Sequence, residues 1–175
     1  MPCHFKLMTQ PNKVAMLTAC ILFFSATFSM AQAQYATLFL GQVDVGRNQA
    51  DSQYGASWLG AAKWTRWHLQ PEVGLIRTRY GSHLLYAGLQ RRTHFTAQNH
   101  GFALTLGLAP GLYWHGNGND TDLGYLLQFK STLGVEYEFP DATRLGASFA
   151  HISNASLSAM NPGTELWTLH YGVPF

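Results

Sequence analysis

Charged residues are scarce in this chain of 175 residues. Only 11% of them are charged and 47% are hydrophobic, whereas about 25% charged is usual for a soluble domain. Long apolar runs are also missing, because no stretch after the first 30 residues supplies the roughly 18 uninterrupted apolar positions of a membrane-spanning helix. The chain is therefore more apolar than a typical soluble domain, yet it predicts no helical membrane span beyond its N-terminus.

The N-terminus is typical of a secretory leader. Lys6 and Lys13 give it a basic start, residues 14–28 are apolar, and Ala31-Gln32-Ala33 offers a cleavage site of small residues. We therefore expect residues 1–33 to be a cleaved signal peptide and residues 34–175 to form a single domain. A lipoprotein signal ending at Cys20 is the alternative, although the apolar run continues past that cysteine.

Cleavage after residue 33 would leave a chain without cysteine and without net charge. It removes Cys3 and Cys20, so no disulfide is expected. It also removes Lys6 and Lys13, which leaves nine basic residues (11 minus 2) against nine acidic ones. Because no basic excess or basic run remains, nucleic acid is not expected as a partner.

Strict alternation is the strongest positive signal in the sequence. In residues 101–115 the even positions are Phe102, Leu104, Leu106, Leu108, Pro110, Leu112 and Trp114, and the odd ones are small or polar. Residues 123–139 repeat this pattern, with Leu123, Tyr125, Leu127, Phe129, Leu133, Val135, Tyr137 and Phe139 opposite Gly124, Gln128, Lys130, Thr132, Gly134, Glu136 and Glu138. A period of two over such a length indicates strands.

The pattern predicts an all-β fold, an eight-stranded antiparallel transmembrane β-barrel of the outer membrane, with apolar residues outside and polar residues inside. Turn signals place the strands at about 35–47, 54–68, 70–80, 82–95, 101–115, 122–139, 142–154 and 163–175. An even strand number closes the sheet without edges, and eight strands leave an interior filled by side chains. We expect the interior charges to pair with one another. The final Phe175 resembles the assembly signal of outer-membrane barrel proteins.

Strand parity brings three polar residues onto the outer, apolar face. Glu165 shares the parity of Trp167 and Phe175, and His151 and Ser153 continue the face of Phe149. Ten residues of tilted strand between Phe175 and Glu165 climb roughly 25 Å, the height of the apolar band. The three side chains are therefore expected at the membrane boundary, with His151 opposite Glu165 in the last hairpin.

A hydroxyl, an imidazole and a carboxylate in this order suit nucleophilic catalysis at an ester. Ser153 would attack, His151 would take its proton, and Glu165 would orient the imidazole. Asn154, Asn161 and the backbone N–H groups near residues 155 and 156 are candidate donors to the oxyanion. Ser156 and Ser158 are alternative nucleophiles, although they fall in the connection between strands.

The segment FAHISNAS, followed by NPGTE and a strand ending in YGVPF, resembles the lipid A 3-O-deacylase family of the PagL type. The match covers about the last 30 residues. The resemblance implies an outer-membrane enzyme that hydrolyses the ester at position 3 of lipid A and releases a 3-hydroxy fatty acid. It implies His151, Ser153 and Glu165 as the catalytic triad, Asn161 as an oxyanion donor, and Asn154 as a supporting residue.

The expected partners are therefore lipopolysaccharide as substrate and outer-membrane lipid, and the resemblance also implies a homodimer. No metal or organic cofactor is implied. Arg47 and Arg79 lie near predicted strand ends and are candidates for binding lipid A phosphates. Two alternatives stay open at this point: a non-catalytic barrel for adhesion or envelope structure, and an enzyme that transfers the acyl chain to another lipid.

Overall fold

The computed structural model describes residues 33–47, 50–61, 67–95, 100–116, 118 and 120–175. The expected signal peptide lies outside the described residues, apart from Ala33. Among the described residues, no helix is long and apolar enough to cross a membrane. The described strands are β1 (Tyr35–Val43), β2 (Asp51–Leu59), β3 (Leu69–Thr78), β4 (His83–His94), β5 (Gly101–Trp114), β6 (Leu127–Glu138), β7 (Arg144–Ser153) and β8 (Thr164–Pro174).

The strands form a closed barrel in which each pairs with its sequence neighbours and β1 also pairs antiparallel with β8. Tyr35 opposes both Leu59 and Pro174, so the start of β1 and the end of β8 lie at the same end of the barrel, which we call the terminal rim. The opposite end, the distal rim, carries the connections that follow β1, β3, β5 and β7. Their described residues are 44–47 and 50, 79–82, 115–116 with 118 and 120–126, and 154–163. The predicted eight-stranded antiparallel barrel is confirmed.

The two faces of the barrel follow the alternation. Large apolar side chains are exposed on the outer face, including Leu38 at 69%, Leu108 at 61% and Leu169 at 58%. Successive strand residues point to opposite faces, so this apolar exterior leaves the polar positions inside. Such an exterior matches that of outer-membrane barrels, which have lipid outside.

The interior charges form pairs, as expected. Arg92 contacts Glu136 at 2.9 Å and Glu138 at 2.8 Å, and Glu138 also accepts a bond of 2.9 Å from Arg144. Closer to the middle of the barrel, Lys130 Nζ lies 3.9 Å from a carboxylate oxygen of Glu72. Buried ions are costly unless paired, and these contacts supply the pairs.

Replacing Glu138 with glutamine should destabilise the barrel. The change keeps the side-chain volume but leaves Arg144 and one nitrogen of Arg92 without their counter-charge, and removing one partner of a buried pair costs about 3–5 kcal/mol. We expect a loss near the lower limit, because Arg92 keeps Glu136. Urea unfolding of the protein in phospholipid vesicles measures the change.

Asp141→Asn is the matched control for Glu138→Gln. The Asp141 carboxylate accepts bonds from the backbone N–H and the hydroxyl of Thr143 in an exposed turn at the terminal rim, and an asparagine oxygen can accept the same bonds. The interior network would be unimportant for stability if both variants unfolded at the same urea concentration as the parent.

Three strands have a boundary more than two residues from the prediction. The strand β1 is predicted to run to residue 47 but ends at Val43. The alternation predicts β2 over 54–68, whereas the strand runs from Asp51 to Leu59. Its first inward residues, Asp51 and Gln53, are buried polar groups, so an apolar pattern does not reveal them. Ala62 and Trp64, which the same pattern places on the outer face, lie outside the described residues.

The sequence also predicts β6 from residue 122, but the strand begins at Leu127. Gly124 has a φ of 72°, which bends the chain before the strand. Leu123 is consequently only 2% exposed and joins the buried apolar cluster with Ile152 and Leu166. The prediction that Leu123 faces outward is wrong.

Candidate active site

The last hairpin places a histidine and a glutamate side by side at the distal end of the sheet. His151 and Glu165 are direct partners across β7 and β8, and Nδ1 of His151 lies 3.2 Å from Oε1 of Glu165. Their side chains are 45% and 34% exposed and share the parity of the outward-facing Trp167. A carboxylate on Nδ1 fixes the ring orientation and leaves Nε2 as the free ring nitrogen.

Ser153 is the last residue of β7 and lies on the same face as His151. Alternate residues of a strand are separated by about 6.6 Å along its axis, so the two side chains are neighbours on that face. In the described part of the chain, no hydrogen bond joins the Ser153 hydroxyl to His151. Catalytic hydrogen bonds are often long without substrate and tighten when it binds.

The two asparagines lie beside the end of β7. Asn154 is fully buried; its backbone N–H donates to Oδ1 of Asn161 at 3.0 Å and its side-chain amide donates to the Met160 carbonyl at 2.7 Å. Because Oδ1 of Asn161 is the acceptor of the first bond, the NH₂ group of this exposed residue is the part left to donate elsewhere.

Gly163 is a site residue that the sequence analysis missed. Its φ is 62°, and a Cβ added to it would lie 2.9 Å from Cε1 of His151. A residue with a side chain would therefore be strained and would also push against the imidazole. The sequence feature that could have identified Gly163 is its position in Asn161-Pro162-Gly163, directly before β8.

The family model for lipid A 3-O-deacylase (PagL) matches residues 31–174. The chain belongs to this family. The barrel is accordingly an outer-membrane β-barrel hydrolase of the lipid A 3-O-deacylase type. A comparison with curated protein sequences gives no match.

Solved structures share the fold of this deacylase-family barrel. The crystal structure of the outer-membrane enzyme PagL aligns with a TM-score of 0.63 and 21% identity, over 81% of this chain and 99% of that one. Neisserial surface protein A aligns with a TM-score of 0.59 and 13% identity, over 84% of this chain and 100% of that one. At these identities the likeness shows the barrel architecture alone.

The alternative nucleophiles in this deacylase-family chain lie in the connection 154–163. Ser156 is exposed, has a φ of 64°, and lies in a turn with Ala155. Ser158 follows in the same irregular segment. Neither has a β-strand partner, so the sheet holds neither of them in register with His151.

An apolar strip runs along the outer face from the polar site toward the terminal rim. Phe149 and Trp167, the next outward pair below His151 and Glu165, pack edge to face with ring centroids 5.4 Å apart. The pairs Ala147 with Leu169 and Leu145 with Tyr171 continue the strip. The polar groups thus border a surface that suits a hydrocarbon chain.

Proposed function

We propose that the protein hydrolyses the ester-linked acyl chain at position 3 of lipid A, with Ser153 as nucleophile, His151 as general base and Glu165 as the group that orients it. The observation that carries the proposal is the His151–Glu165 pair of 3.2 Å on the outward face, with Ser153 next along the same face. Membership of the deacylase family supplies the substrate class.

In the first half of the reaction, the Ser153 hydroxyl attacks the acyl carbonyl as its proton passes to Nε2 of His151. Glu165 stabilises the imidazolium that forms, through Nδ1. The tetrahedral intermediate then expels the sugar oxygen at position 3, which takes the proton from Nε2. The products of this half are 3-hydroxyl lipid A and an ester between Ser153 and the acyl chain.

In the second half, a water molecule attacks the acyl ester while Nε2 of His151 takes one of its protons. Collapse of the intermediate returns that proton to the Ser153 oxygen and releases the chain as a 3-hydroxy fatty acid. The free NH₂ group of Asn161 is the proposed oxyanion donor in both halves. Buried Asn154 supports it, since its backbone N–H holds Oδ1 of Asn161 at 3.0 Å.

The proposed substrate approaches sideways, within the plane of the membrane. The site opens on the outer face beside the apolar strip, so an acyl chain could lie against Phe149 and Trp167 while its ester reaches Ser153. We place the distal rim at the outer leaflet, where lipopolysaccharide resides, and residues 1–33 as the signal peptide removed during export. A homodimer remains an expectation, which sedimentation of the detergent-solubilised protein would test.

The proposed activity is tested with the purified barrel, lipopolysaccharide and phospholipid in mixed detergent micelles, and water enriched in ¹⁸O. Mass spectrometry should show lipid A losing one 3-hydroxyacyl group, and the released fatty acid should carry ¹⁸O in its carboxyl group. Lipid A that already lacks the chain at position 3 is the control and should stay unchanged. Unchanged parent lipid A would favour a non-catalytic barrel, whereas an unlabelled chain found on phospholipid would show acyl transfer.

A further inference from the structure

Arg47 ties the first distal connection to the last one. The guanidinium Nη2 donates to the carbonyl of Pro162 at 2.8 Å and to that of Gly163 at 2.9 Å, and Nη1 donates to the Thr121 hydroxyl at 3.1 Å. These contacts join three distal connections that are far apart in sequence. The side chain is 35% exposed, so it forms these bonds at the rim and not in the core.

Most of the donors of Arg47 are used by the protein itself. A guanidinium carries five N–H groups, and the three hydrogen bonds use both of those on Nη2 and one on Nη1. The Nε group lies 3.9 Å from Oδ1 of Asp44. Bidentate phosphate binding requires two parallel N–H donors of one guanidinium. The bonds within the protein leave Arg47 with few N–H donors for such a contact.

Asp44 supports the same attachment from inside the rim. Its carboxylate is almost fully buried and accepts bonds from the Thr164 hydroxyl at 2.7 Å and from the Thr121 backbone at 3.0 Å. The adjacent Val45 N–H donates to the Glu165 carbonyl at 3.2 Å. The turn at 44–47 therefore contacts every residue from Pro162 to Glu165.

The segment held in this way carries the groups that the reaction would need. Asn161 precedes the two carbonyls, Gly163 packs against the His151 ring, and Glu165 binds Nδ1 of the same ring. A shift of Pro162 and Gly163 would move Asn161 and release the imidazole from the glycine. Misplacement of catalytic groups by about 1 Å can cost about 100-fold in rate.

We propose that Arg47 is a positioning residue, which holds the Asn161–Glu165 segment in the geometry that catalysis requires and does not bind the substrate phosphates. The inference rests on the proposed deacylase function. The planar guanidinium of Arg47 donates to several acceptors at once, whereas a lysine ammonium group is a single point charge and can replace these bonds only in part.

The test compares Arg47→Ala, Arg47→Lys and Arg91→Ala on bisphosphorylated and monophosphorylated lipid A in detergent micelles. Arg47→Ala should lower kcat by about 10- to 100-fold, leave KM nearly unchanged, and lose the same factor on both substrates. Arg47→Lys should fall between the parent and the alanine variant. Arg91→Ala removes the same charge from an exposed side chain of β4, opposite Leu69 near the terminal rim, and it should leave kcat unchanged.

The outcomes separate the possible roles of Arg47. A raised KM with unchanged kcat, and a smaller loss on the monophosphorylated substrate, would show phosphate binding and overturn the inference; parent-like kinetics would overturn it as well. If Arg47→Ala does not fold, as judged by heat-modifiable migration in gels, the intermediate kcat of Arg47→Lys decides. An inactive parent protein would instead contradict the proposed function.

Discussion

Replacing Ser153 with alanine is expected to reduce deacylation of lipid A by about 1,000-fold or more, because the oxygen that forms the acyl-enzyme is removed. The residual rate would come from substrate binding and oxyanion stabilisation alone. Ser153 ends a strand on the barrel surface, so the loss of one hydroxyl should leave the fold intact. Mass spectrometry of released 3-hydroxy fatty acid measures the rate, and heat-modifiable migration in gels checks folding.

Ser158→Ala is the matched control for Ser153→Ala. It removes the same hydroxyl a short distance along the chain, from the irregular connection where no strand register holds it beside His151. Its activity should equal that of the parent. If Ser153→Ala stayed active while Ser156→Ala or Ser158→Ala was inactive, the nucleophile would lie in the connection 154–163 instead.

The faces of the strands could be predicted from the sequence because alternation is a local property. Each residue of β5 and β7 points inward or outward according to its parity, so the outward placement of His151 and the inward placement of Ile152 follow without any knowledge of distant contacts. Leu123 shows where this logic ends. The odd-numbered apolar positions of β6 continue back through Tyr125 to Leu123, but Gly124 bends the chain and Leu123 folds into the interior.

The His151–Glu165 pair was predictable for a similar reason. The two residues belong to one hairpin, and a hairpin with a known connection fixes which residues oppose each other. The contacts of Arg47 were not predictable, since its acceptors at Pro162 and Gly163 are backbone carbonyls 115 and 116 positions away. A carbonyl is present at every residue, so no side-chain pattern marks these two as partners.

A pair of variants at His151 and Ser153 should show that the two residues act as one unit. His151→Ala removes the base and the later acid, so it is expected to cost about as much as Ser153→Ala, on the order of 1,000-fold. Without a base, the Ser153 hydroxyl is a weak nucleophile, and without the hydroxyl the base has no proton to take. The double variant should therefore be no slower than either single variant, within about threefold. The rate of 3-hydroxy fatty acid release by all four proteins gives the coupling directly.

The double variant separates this mechanism from a second one that the geometry also permits. If His151, oriented by Glu165, activated a water molecule directly and Ser153 only bound substrate, the two losses would be independent. The double variant would then be slower than the parent by the product of both factors, and slower than either single variant by the factor of the other one. His170→Ala is the control, because the His170 side chain is largely buried inside the barrel and bonds to Glu136 at 3.2 Å. That variant removes an imidazole from the same hairpin without changing the outer face. It should therefore lower the stability of the barrel and leave kcat close to that of the parent. Multiplying losses in the double variant would contradict a covalent role for Ser153, while leaving His151 and Glu165 as the base and its orienting group.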